Sequence, residues 1–75
     1  MPKLPIVSGN ELVDALKKDR FVVVRQRGSH VLLQKVTDEE NYRTVVPMHR
    51  ELAKGTLLDI LHQTGLSRDD LLKLL

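Results

Sequence analysis

The sequence contains no cysteine, so neither a disulfide nor a thiolate metal site can staple it. That thiol-free composition suits a reducing compartment. There is no tryptophan, and Phe21 and Tyr42 are the only aromatic residues, which argues against binding RNA by stacking bases on a platform of rings. No apolar run approaches the ~20 residues of a membrane span. Met1-Pro2-Lys3-Leu4-Pro5 is followed by only two apolar residues before Ser8, so the apolar centre of a secretory signal is missing. An intracellular, cytoplasmic protein without membrane contact is expected. Net charge is also small, at +2, too little to establish nucleic-acid binding by itself, although the sequence pI of 9.2 leans that way.

What is present points to one small folded domain over residues 1–75. With 41% hydrophobic and 29% charged residues, the composition is that of an ordinary globular chain. Stability must come from apolar packing. The distribution of charge says more than its total: no acidic residue occurs from Arg20 through Thr37, so Arg20, Arg25, Arg27 and Lys35 form an acid-free block. Asp38-Glu39-Glu40 and Asp69-Asp70 gather negative charge elsewhere. The block suits an anionic ligand, and equally the solvated face of a strand pair.

Ser8-Gly9-Asn10-Glu11 has the spacing of a capping box, and Leu12, Val13 and Leu16 follow on one face, which predicts an amphipathic helix to about Asp19. Phe21 to about Gln26 is a β-branched and aromatic run that predicts a strand. Gly28-Ser29 supplies a turn, His30 to Val36 a second strand, and Tyr42 to Val46 a third that Pro47 closes. Gly55-Thr56 signals a helix start in which the threonine or its neighbour caps the first turn, with Leu57, Ile60, Leu61 and Thr64 on one face. Gly65 should end that helix in the left-handed conformation, and Ser67 with Asp70 should cap a short last one carrying Leu71, Leu72 and Leu75. Three hairpin-linked strands need one face covered, and the helices are the only candidates. The expected fold is an α+β two-layer sandwich, α-β-β-β-α, with a short C-terminal helix.

Among side chains able to do chemistry, His30 stands out, because an imidazole gives and takes protons near neutral pH and a turn leaves it accessible. It follows Arg25 and Arg27, whose guanidinium groups bind phosphate bidentately and stabilise negative charge developing on phosphorus. Gly28 would let a ligand approach the backbone, but a hairpin glycine is usually a turn glycine. Ser29 can donate to phosphate, whereas no Ser/His/Asp arrangement can be assembled for nucleophilic chemistry. Lys54-Gly55-Thr56 opens a helix where a lysine and free amides can hold phosphate, without the rest of a nucleotide-binding loop. His49 stays open as a secondary candidate. His62 reads as a surface imidazole at a helix C-terminus. The three histidines, at 30, 49 and 62, match no metal-binding spacing, and no metal or other cofactor is expected.

Several short segments together resemble the HicA toxins of HicA/HicB toxin–antitoxin modules, also called YcfA-like proteins. They are Ser8-Gly9 with Leu12 and Leu16, Phe21 through Arg25-Gln26-Arg27-Gly28-Ser29-His30, Val46-Pro47-Met48-His49, and Lys54-Gly55-Thr56-Leu57 with Ile60-Leu61 and Gly65. The resemblance covers nearly the whole chain, and the order and spacing of the segments are more specific than any one of them. It implies a fold like that of double-stranded-RNA-binding domains. It also implies a ribosome-independent mRNA interferase that arrests translation and is neutralised by a HicB antitoxin covering the active site, with DNA reached only indirectly through the antitoxin. The family's essential histidine maps onto His30. One departure is visible, because the family usually has glycine just before the aromatic that opens the first strand and this chain has Arg20. A positive φ there would strain a non-glycine residue, and Asp19 is the alternative occupant of the left-handed position.

The expected chemistry is metal-independent cleavage of RNA by the neighbouring 2′-hydroxyl, with His30 as general acid or base and Arg25, Arg27 or Lys54 stabilising the phosphorane-like charge. Gly28 and Ser29 would complete the substrate contacts. The alternative is a non-catalytic RNA-binding module that blocks translation by occupancy.

Overall fold

A computed structural model describes residues 3–75. The elements run α1 (Gly9–Lys18), β1 (Val22–Arg27), β2 (His30–Val36), β3 (Asn41–Pro47), α2 (Lys54–Thr64) and α3 (Arg68–Leu74). The strands form one antiparallel sheet in the order β1-β2-β3. This is the expected α+β sandwich, a double-stranded-RNA-binding-domain-like arrangement with a short third helix.

Local chemistry explains the boundaries. At the start of α1, Ser8 Oγ accepts from the Glu11 amide at 3.0 Å and the Glu11 carboxylate accepts from the Ser8 amide at 2.9 Å. Ser67 and Asp70 repeat this reciprocal cap at α3. The bond from the Ser67 amide, followed by the one between the two side chains, holds the Asp70 carboxyl below its ordinary range. Gly65 ends α2 with φ 72°. The cap of α2 departs from expectation: the helix opens at Lys54, as Lys54-Gly55-Thr56 suggests, but it follows Ala53, no side chain caps it, and Thr56 lies inside its first turn.

Leu12, Leu16, Phe21, Leu33, Val46, Leu57, Ile60 and Leu71 are buried together between sheet and helices. Each such side chain contributes about 1.5–3 kcal/mol when fully buried, so this cluster holds the layers. Of the leucines expected on α3 only Leu71 is buried; Leu72 and Leu75 are exposed, and Leu74 packs against the core instead.

The helical layer does not cover the whole sheet, as expected of it, because every residue of β1 is exposed. Both longer helices pack against β3, at the opposite edge of the sheet. Val22 pairs with Gln34 and Val23 with Leu33, but Arg25 pairs with Leu32, which leaves Val24 as an extra residue in a bulge. A bulge bends its strand and increases the local twist.

Candidate active site

Directly paired residues of neighbouring strands project to the same side of a sheet. Buried Val31 and Leu33 pair with buried Val46 and Thr44, so these four mark the inner face. His30, Leu32 and Gln34, with their partners Pro47, Val45 and Arg43, therefore mark the outer face. On β1, Arg25 pairs with Leu32 and Arg27 with His30, which puts both arginines on that outer face beside the histidine. In an unbroken strand Val23, Arg25 and Arg27 would all share one side. The bulge at Val24 breaks that alternation: Val23 pairs with inward Leu33 while both arginines face out.

His30 opens β2 and is exposed. The turn before it depends on Gly28, whose φ of 59° lies in the left-handed region; a Cβ there would meet nothing within 4 Å, so the glycine answers to conformation and not to crowding. The Gln26 side-chain amide donates to the Gly28 carbonyl at 3.2 Å across the turn. The Met48 amide donates to the Ser29 carbonyl at 2.6 Å, which ties the turn to the chain leaving β3. The neighbouring His49 carbonyl accepts from the Gly9 amide at 2.9 Å. His30, Ser29, His49 and the N-terminus of α1 thus meet at one end of the sheet, and His49 is also exposed.

Lys35, a member of the basic block, and Lys54, the expected phosphate contact at a helix start, both go elsewhere. Lys35 is on the inner side, half-buried, with its ammonium 2.9 Å from Asp19 Oδ2 and about 5 Å from the Phe21 and Tyr42 ring centres, at 5.1 and 5.2 Å. It pairs with Tyr42, whose ring packs against the core, so it is a structural cation. Lys54 opens α2 and lines a hollow with Lys3, Leu4 and Glu51, separate from the one on the sheet's outer face. Arg43, which the sequence reading passed over, joins the outer face, where it lines an open hollow with Arg25, Leu32 and Val45. Arg25, Arg27 and Arg43 make no ion pair among the described residues. The signal for Arg43 was its parity in β3, two positions from outward Val45.

A family model for the HicA toxin of bacterial toxin–antitoxin systems matches residues 9–66. The chain belongs to the HicA toxin family. The match begins at the first residue of α1 and ends just after the Gly65 cap, so it takes in the sheet, both longer helices and every candidate residue of this HicA-family site. Neither curated proteins nor solved structures give a match. No described helix is long and apolar enough to cross a membrane, and no three His, Cys, Asp or Glu side chains gather as a metal site among the described residues.

Proposed function

We propose that this HicA-family chain is an endoribonuclease that cuts mRNA, and that His30 is its proton-transfer group. One observation carries the reading: an exposed histidine shares a sheet face with two unpaired arginines, within the span matched to the toxin family. In the reaction the 2′-oxygen attacks the adjacent phosphorus and the 5′-oxygen leaves, giving a 2′,3′-cyclic phosphate and a free 5′-hydroxyl. His30 accepts the 2′-hydroxyl proton or supplies one to the leaving oxygen. Arg25 and Arg27 lie where guanidinium groups can bind the phosphate and oppose the charge that grows on it. Gly28 and Ser29 shape the turn along which the strand passes, and exposed His49, at the same end, is the candidate second imidazole. Lys54 is assigned to phosphate contact away from the bond being cut.

Membership of a toxin–antitoxin family makes a HicB-type antitoxin the natural protein partner, and covering the outer face would silence the site. Arrest of growth would follow from mRNA loss.

General acid–base catalysis contributes roughly 10²–10⁴ in rate, so His30→Ala should lose that much cleavage while keeping its fold. The assay follows defined RNA in excess EDTA and checks for cyclic-phosphate ends. Cleavage by purified His30→Ala at the parent rate would sink the assignment. A second reading, translation block by RNA occupancy alone, draws on the open position of His30, whose imidazole makes no hydrogen bond among the described residues. Intact RNA with undiminished binding by the parent protein would decide for it.

A further inference from the structure

We propose that the outer face of the sheet is a track for a single RNA strand, in which Arg43 holds a phosphate remote from the bond being cut. The inference rests on the ribonuclease reading and extends it to how the substrate is held. Its first support is charge: the three strands contain no Asp or Glu, and their outer face carries Arg25, Arg27, Arg43 and His30. Its second is distance. His30 pairs with Pro47, whereas Arg43 lies four residues back along β3, about 13 Å of backbone at ~3.3 Å per residue, which sets the two side chains well apart along the strand.

The third support is shape. Between Arg25 and Arg43 lies an open hollow of about 600 Å³, floored by Leu32 and Val45 and bounded by Gln63 of α2. The Thr44 hydroxyl donates to Gln63 Oε1 at 2.7 Å, which holds that amide at the rim. The floor is apolar and its ends are cationic, which fits a strand whose sugars cross the middle and whose phosphates meet the arginines. No Phe, Tyr or Trp ring lies on this face, since Phe21 is buried and Tyr42 belongs to the inner side; the His30 imidazole is its one aromatic group among the described strands. A platform of Phe, Tyr or Trp rings is therefore not the source of affinity, and contacts to phosphate should supply most of it, largely independent of sequence and sensitive to salt.

The test uses a fluorescein-labelled 2′-O-methyl RNA oligonucleotide, which lacks the attacking hydroxyl and so reports binding whatever His30 does. Anisotropy titrations across a salt series compare the parent with Arg43→Gln and Val45→Glu, both at exposed positions. Arg43→Gln should weaken binding several-fold for any sequence and lower the salt slope by about 0.7, the loss of one phosphate contact on a single strand. Val45→Glu, which places an anion on the floor, should weaken it further, while circular dichroism of both variants matches the parent. Unchanged affinity and slope in Arg43→Gln would overturn the track and leave the His30 assignment standing. Undisturbed RNA binding with weakened binding of a HicB-type antitoxin would also overturn it, by assigning the face to a protein partner. Absence of binding by the parent would also overturn the track, while the cleavage assay on unmodified RNA would still decide the ribonuclease reading.

Discussion

Arg20 has a φ of 72°, and it is the only described residue other than glycine with a positive φ. In that region a side-chain Cβ crowds the following carbonyl, at a cost of roughly 1–2 kcal/mol relative to glycine. Glycine in turn loses ~0.4–1 kcal/mol more backbone entropy on folding. The strain is the larger quantity, so Arg20→Gly should stabilise the fold by about 0.5–1 kcal/mol, read as a higher denaturation midpoint with unchanged slope. A lower midpoint would mean that the arginine side chain compensates for its backbone. The position was legible in the sequence as the place where the family resemblance implies glycine, but its occupant was not settled there. Asp19 does not take the left-handed role because it caps α1 at φ −92°, with its amide donating to the Leu16 carbonyl. Its carboxylate is engaged with Lys35, the lysine that linear charge counting had placed in the basic patch.

At the scale of elements, α1 meets the end of the sheet through Gly9. A Cβ on Gly9 would collide with the Pro47 carbonyl oxygen and lie 2.7 Å from Met48 Cα, both backbone atoms that cannot rotate aside. Alanine is the better helix former by about 1 kcal/mol, but overpacking a tight contact costs typically ~1–3 kcal/mol, so the collision should dominate. Gly9→Ala is expected to lower thermal stability. Because Met48 and His49 also hold the turn before His30 and the first amide of α1, RNA cleavage should fall with it. A variant with parent stability and parent cleavage would show that the α1 contact does not set the site. The capping boxes of α1 and α3 were readable from four-residue spacings, since a reciprocal cap needs only local chain geometry. The cap of α2 was not, because no side-chain hydrogen bond closes it; the chain before the helix is held by the Leu52 amide donating to the Val7 carbonyl.

For the whole molecule, one buried cluster draws on α1, β2, β3, α2 and α3, while β1 contributes no buried residue. We expect the chain to unfold as a single cooperative unit, so that denaturation followed by far-UV circular dichroism and by the fluorescence of Tyr42, the one tyrosine, gives coincident curves. Separated midpoints would contradict a single domain. Charge is likewise divided at this scale: the outer sheet face is cationic, and Asp38, Glu39 and Glu40 are confined to the β2–β3 loop. The order of elements, the capping boxes of α1 and α3 and the core faces of α1 and α2 were determined by the sequence alone, because periodicity and capping act over a few residues. His30 at an exposed turn belongs with them. Which cations share its face was decided only by tertiary structure. A single extra residue at Val24 shifts the pairing of β1 so that Arg25 and Arg27 look outward, and strand pairing across β2 adds Arg43 and turns Lys35 inward. Register is a property of two strands together, and no pattern within either strand specifies where a bulge will fall.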